Sequence, residues 1–410
     1  MHLIYQNQKQ YIYKLIRCNR SFLKQWIFFL SMPISILNYF ASFDMKYRIE
    51  SMIFLLFAAA LIISGTNCTA QPVDAGYRTG TDISDLVLIY HGSTHRPEWN
   101  STQLKPYVYQ NSDKGFHWMF DGFLFLEIFD KNRKIEWDPG FGHNTADKKE
   151  WEWLSDRYFS KGKGPDALES VLDSLALKDI KPLRKRKVVI SIPDPVAGFT
   201  DWGEIDGRKL DFNNPSDQVT AACWFIDRIL KMWEGKNYRH IQLDGFYWVH
   251  EAAGKDYQII PEVKRYLLAK SMRLYWIPYW KAERSDIWKE LGFDCAYQQP
   301  NYFFNKELSA ERLNDACNFG KLHGMGMEME FDNNVINPEG RKKYYEYISA
   351  FEANGVWEER QVAYYEGGGA WLKISQSTDP EMKKMADRLS SIVIKRQEMA
   401  DMKFLQKKSK

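Results

Sequence analysis

The chain is short of the residue patterns on which most enzyme classes depend. It has no Gly-x-Ser-x-Gly elbow, no phosphate-cradling P-loop and no dinucleotide fingerprint, so serine-esterase, P-loop and Rossmann-type chemistry lack their anchoring residues. Only 5 cysteines occur in 410 residues. Beyond Cys68 they are Cys223, Cys295 and Cys317. An odd, widely spaced set makes neither a disulfide framework nor a paired zinc site, and buried free thiols are expected. Histidine is scarce too, at 8. His91 and His95 stand four apart, but Gly92 between them argues for a loop, not the helix that would aim both at one ion. No metal and no cofactor is expected. An excess of basic charge is missing as well. The formal charge is +3, yet residues 1–70 hold seven basic and two acidic side chains, so the remainder stands at −2. That balance offers no field for nucleic acid.

What charge and apolar runs there are gather at the N-terminus. Lys46 and Arg48 follow Met45, Met52 to Ser64 is continuously apolar or small, and Cys68-Thr-Ala70 supplies small residues. The order predicts a secretory leader over 45–70, cleaved after Ala70. Its apolar core falls short of the roughly 20 residues a bilayer span needs, so cleavage is expected rather than anchoring. Residues 1–44 then read as an extension upstream of the working start. Their apolar stretch, Trp26 to Ala41 broken by Pro33, has a membrane helix as its rival reading. Acylation of Cys68 would instead make an outer-membrane lipoprotein, although Asn67 fits that poorly. The expected location is secreted or periplasmic, without stable membrane insertion after cleavage. The expected mature domain is 71–405.

From residue 86 the sequence repeats one rhythm: an apolar strand, a polar or acidic strand end, then a helical stretch. The strands expected are Leu86–His91, Phe120–Glu127, Lys187–Pro193, His240–Trp248, Arg273–Pro278, Asp294–Gln299, Gly324–Phe331 and Val362–Glu366. Helices are expected over Pro215–Trp233, Ser309–His323, Pro338–Asn354 and Pro380–Lys403, with a frayed tail from Gln406. Strands alternating with helices predict a parallel sheet, and eight units predict an α/β fold: a single-domain (β/α)8 TIM barrel. The segment Phe129–Pro165, rich in Trp, Gly and charge, reads as a long loop over the barrel mouth after the second strand.

Chemistry in such a barrel gathers at the C-terminal ends of strands. Glu328, Glu330 and Asp332 share one face of the seventh strand by period-two alternation, leaving Met325, Met327, Met329 and Phe331 to face the helices. Burying those acids is costly unless they are paired or used. The fourth strand offers Asp244, Phe246 and Trp248 on one face, then Glu251 just past its end. Facing carboxyls suit glycosidic-bond hydrolysis. Glu251 is the expected general acid/base, Glu330 the nucleophile or base, and Glu328 its alternative. Sugars present CH faces and hydroxyl edges, so Tyr247, Trp248, Tyr297 and Tyr364 with Gln299 and Asn301 are expected to bind substrate. His91, Glu127 and Glu366 join them from other strand ends. Asp121-Gly122 and Asp244-Gly245 repeat one pattern. These aspartates read either as further substrate contacts or as a hydrogen-bonding device of the barrel.

On Leu86-Val-Leu-Ile-Tyr-His-Gly92, Phe120-Asp-Gly-Phe-Leu-Phe-Leu-Glu127, Asp244-Gly-Phe-Tyr-Trp248 with Glu251, and Gly326-Met-Glu-Met-Glu330, the chain resembles the bacterial family catalogued as domain of unknown function 4855. The resemblance implies an extracytoplasmic, glycosidase-like barrel and brings no established activity. The acid pair on the fourth and seventh strands also resembles the retaining glycosidase superfamily of barrels, with His250 where that pattern has Asn. Two functions remain open at this point. One is a secreted glycoside hydrolase acting on a polysaccharide or glycan. The other is a non-catalytic glycan-binding barrel of a surface uptake system.

Overall fold

The computed structural model describes residues 80–112, 115–254 and 258–409. The expected leader, the extension before it and Cys68 lie outside the described residues. Eight strands form the centre: β1 (Asp85–Tyr90), β2 (Gly122–Leu126), β3 (Arg186–Ile192), β4 (Ile241–Trp248), β5 (Arg273–Trp276), β6 (Cys295–Gln298), β7 (Gly326–Glu330) and β8 (Val362–Tyr365). Each pairs with its neighbours in sequence, and β8 returns to β1 to close the ring. Every pairing is parallel. The fold is therefore a (β/α)8 barrel, with all eight expected strands in place.

Helices separate the strands. They are α1 (Ser101–Val108), α2 (Lys148–Tyr158), α3 (Gly164–Ala176), α4 (Pro215–Glu234), α5 (Ile260–Ala269), α6 (Trp288–Leu291), α7 (Glu311–His323), α8 (Pro338–Ala353), α9 (Val356–Glu359), α10 (Ala370–Ser375) and α11 (Pro380–Lys408). Local chemistry sets their ends. Asn214 caps α4 by accepting the Ser216 N–H at 3.2 Å, and Pro215 sits where a missing N–H costs nothing. Ala222, Phe225, Ile226 and Ile229 then bury one stripe of that helix. Past α8, Gly355 takes the left-handed conformation, φ 65°, which releases the chain from the helix.

Two sequence expectations change here. The segment after β2 is not an unstructured loop. It makes a small three-stranded sheet (Phe129–Asp130, Ile135–Glu136, Asn144–Thr145), and Asp147 then caps α2 by accepting the Glu150 N–H at 3.0 Å. Nor does the tail fray at Gln406, because α11 runs on to Lys408.

The barrel interior is packed. Leu88, Leu124, Val189, Tyr247, Tyr275, Cys295, Tyr297 and Ala363 fill it, while a larger cluster lies between the strands and the helices. At the N-terminal end of the barrel a polar network forms the floor. Asp85 accepts from Arg396 Nε at 2.6 Å, Tyr364 OH at 2.7 Å and Gln397 Nε2 at 2.8 Å. Asp121 accepts from Arg184 Nη1 at 2.7 Å and the Asp85 N–H at 2.9 Å. Arg396 and Asp85 are both nearly inaccessible to water, so neither charge can stand alone. Arg396→Met is expected to destabilise the fold by about 3–5 kcal/mol, read by urea unfolding, because it leaves a buried carboxylate without its cation. A loss below about 1 kcal/mol would show the pair to be dispensable.

Candidate active site

The opposite, C-terminal end of the barrel gathers the acids. Glu330 is the last residue of β7, and Glu328 lies two residues deeper on the same inward face. Met327 and Met329 turn outward to the helix layer, as the alternation requires. Glu330 accepts a hydrogen bond from Tyr347 OH on α8 and from the backbone N–H groups of Asn301 and Tyr302. Burial nevertheless holds its carboxyl up at about 7. Glu328 is 2% exposed, and its Oε1 has no hydrogen-bond partner among the described residues. Burial, then repulsion from Glu330 and Glu251, pushes it well above the usual carboxylate range.

Glu251 follows β4 and is partly buried. Burial raises it to about 7; the Gln299 amide hydrogen-bonds it and opposes the rise, while Asp138 and Glu330 reinforce it. Gln299 is fixed for that contact. Its Nε2 donates to Ile277 O at 2.9 Å and its Oε1 accepts from Asn301 Nδ2 at 2.8 Å. Asn301 itself sits at φ 49°, a left-handed position that asparagine tolerates, and its Oδ1 receives the Trp280 N–H. Tyr247 lies within the field of both Glu251 and Glu328. Glu251, Glu328, Glu330, Tyr247, Gln299 and Asn301 thus occupy one region.

The other candidates fall elsewhere. Trp248 was expected on the mouth side with Asp244. A bulge between Leu243 and Gly245 resets the alternation of β4, so Tyr247 turns inward and Trp248 packs in the helix layer, 1% exposed. Asp244 lies at the N-terminal end, bonded to Arg273 Nη1 at 2.9 Å and to Thr81 Oγ1 at 3.2 Å, and it also receives Tyr275 OH. Asp121 belongs to the floor described above. Both aspartates are therefore structural devices rather than substrate contacts. Tyr364 faces outward and donates to Asp85 at that same end. His91 is fully buried against Phe125 and Tyr158 on the helix side, and burial with the nearby Arg157 lowers its pKa to about 3. Tyr297 does point into the barrel but is fully buried as interior filling. Glu366 is fully buried and receives the Gly369 and Trp371 N–H groups at 2.8 Å each, so its carboxyl is spent on the backbone at the start of α10. Glu127 accepts the Ser93 N–H at 3.1 Å and pairs with Arg96 Nη2 at 3.2 Å, so it positions an arginine rather than a substrate.

The strands and acids just described fall inside the span of one family model. The family described as "Domain of unknown function (DUF4855)" matches residues 85–391 of the 410. The chain belongs to the DUF4855 family. No curated protein matches it. Among solved structures, a mutant tryptophan synthase alpha-subunit from Pyrococcus furiosus is 8% identical, covering 77% of this chain and 98% of that chain at a TM-score of 0.36. An intracellular xylanase from Thermoanaerobacterium saccharolyticum is 11% identical, covering 72% and 88% at 0.36. A tamarind chitinase-like lectin is 10% identical, covering 70% and 97% at 0.32. The barrel of this DUF4855 chain rests on its own strand pairing, and likenesses at that level add nothing about chemistry.

Further groups surround the acids, and the strand-end aromatics Tyr90 and Tyr365 are among those the sequence suggests for sugar contact. Tyr90 and Tyr365 meet edge to face at 5.6 Å, and Arg96 lies 4.6 Å over the Tyr90 ring. Alternation from Leu86 and Ala363 carries a signal for both tyrosines, since it turns them inward. Tyr347 had no signal, because its reach to Glu330 depends on how α8 docks. His250 Nδ1 lies 3.0 Å from Asp138 Oδ1 and 3.9 Å from Asp194 Oδ2, three groups from three separate connections. Their ligand atoms lie within 4.8 Å of one another, near enough to share an ion. A second set, Glu169, Asp173 and His240, has the same closeness. There Glu169 is already engaged by the backbone N–H groups of residues 239 to 241.

Proposed function

We propose that this DUF4855 protein is a glycoside hydrolase acting on a polysaccharide or glycan through two carboxyl groups. The observation that carries the reading is the pair Glu251 and Glu330. They come from β4 and β7, lie in each other's field, and are each raised to about 7. Near neutral pH such a pair holds one proton and one charge between them, which acid–base cleavage of a glycosidic bond requires. Glu251, beside Gln299 and open to solvent on one side, protonates the leaving oxygen. Glu330, oriented by Tyr347 and two backbone N–H groups, serves as nucleophile or base. Tyr365, half-buried in the field of Glu328 and Glu330, gives the mouth a flat apolar face with a polar edge, which suits a sugar ring. The test is a panel of polysaccharides offered to the full chain, with release of reducing ends as the readout. Binding without release, by protein of undiminished stability, would support the glycan-binding alternative instead.

The proposal includes export. Protein recovered outside the cytoplasm should begin near Gln71, as N-terminal sequencing would show. A start at Met1, or a lipid-modified Cys68, would overturn that cleavage site.

A further inference from the structure

Charge at the mouth is poorly matched. Burial raises Glu251, Glu328 and Glu330, and repulsion adds to it, from Asp138 and Glu330 at Glu251 and from Glu330 and Glu251 at Glu328. The nearby cations are engaged elsewhere. Arg96 is held by Glu127 at 3.2 Å. Arg312 reaches Glu330 only through its field; its Nη1 donates to Pro300 O at 3.3 Å and its guanidinium lies 5.1 Å over Trp280. His250 stands beside Asp138 and Asp194, so its charge, when present, is matched already. The cations nearest the three carboxyls are therefore already committed to other partners. Glu328 shows the imbalance most plainly. It is 2% exposed, it faces inward and lies in the field of the other two acids, and its Oε1 lacks any hydrogen-bond partner among the described residues. Buried polar atoms are paired as a rule, and an unpaired carboxylate oxygen beside two further acids points to a ligand.

A sugar hydroxyl would give Glu328 one donor but leave the repulsion in place. An ammonium group supplies three donors and the missing charge together. The ring of Tyr365, which lies in the field of Glu328 and Glu330, adds attraction for a cation. Resting on the glycan reading above, we propose that the mouth takes a sugar unit bearing a free, protonated amino group, its ammonium seated among Glu251, Glu328 and Glu330. N-acylation of that amine removes the charge and two of the three donors, so the site selects against the acylated form.

The experiment is isothermal calorimetry at pH 6 with the full chain and three tetrasaccharides: glucosamine, N-acetylglucosamine and glucose, each β-1,4-linked. The glucosamine oligomer is expected to bind at least about tenfold more tightly than the other two. Protons should be released on binding, read from buffers of different ionisation enthalpy, because a seated cation favours the charged carboxylates. Glu328→Gln should bring the three oligomers to within about threefold of one another, with its thermal melt confirming a folded protein. The preference of the unsubstituted protein needs no variant, so poor folding of Glu328→Gln does not weaken the test. Equal or tighter binding of either neutral oligomer, or binding without proton release, overturns the ammonium site. If a neutral oligomer is bound or cleaved while the glucosamine oligomer has no advantage, only this inference falls. If no sugar is bound, the glycan reading falls with it.

Discussion

Glu251→Gln and Glu330→Gln should each cut hydrolysis by roughly 10²–10⁴-fold while the protein remains folded, since the amide keeps the carboxyl's shape but cannot carry its proton. The measurement is kcat/KM on a substrate cleaved by the unsubstituted protein, with circular dichroism as the folding control. For Glu251, the Gln299 contact survives an amide, so lost activity would report chemistry rather than collapse of the neighbouring loop. For Glu330, Tyr347 and the Asn301 and Tyr302 N–H groups hold the side chain in place. Asp244→Asn gives the contrast. It disturbs the Arg273 pair at the far end of the barrel and should lower stability without removing turnover. Near-parental turnover in both Gln variants would rule out the assigned pair.

A second large effect is expected in stability, with its sign fixed by burial. Glu328 is held well above its ordinary value of 4.5. Unfolded chains lose that proton near the ordinary value, whereas the folded chain keeps it to much higher pH. Between those limits the folded state binds more protons, so stability is complete below about 4.5 and falls as pH rises. Glu328→Gln removes the dependence. The variant should match the parent at pH 4 and exceed it at pH 8 by about 1–3 kcal/mol, read by urea unfolding at both values. A gain of equal size at both pH values would assign the effect to packing instead. Loss of stability at pH 8 would mean that the carboxylate is compensated in the folded protein.

Why some of this could be read from the sequence, and some not, follows from the forces involved. Barrel strands are buried on both faces, so their apolar runs stand out, and all eight could be placed to within a few residues. Period-two alternation likewise put Glu328 and Glu330 inside and the methionines outside. It failed at β4 because one extra residue between Leu243 and Gly245 reverses every side chain after it, and Trp248 changed sides with no compositional warning. His91 is a different case. The alternation that turns Leu88 and Tyr90 inward also turns His91 outward, so its sequence carried the correct answer. Asp121 and Asp244 could not be told from mouth residues, since an Asp-Gly step looks the same at either end of a strand. The Tyr347 and Asp138 contacts were illegible for another reason: each depends on how a helix or an inserted segment folds back over the strands.

The floor network sets a constraint in time. Asp85 on β1 finds its guanidinium in Arg396, 311 residues later, and β1 also waits for Val362 on β8 to complete its ladder. A chain emerging from the ribosome exposes the first strand long before either partner exists. The ring cannot shut until β8 has been made, nor can Asp85 meet its guanidinium until residue 396 has been made. Assembly is thus governed by contacts distant in sequence, which are slow to form and leave open strand edges meanwhile. For a nascent chain of this kind, the hazard lies in the interval before closure, and a factor that shields the unpaired β1 edge would act there.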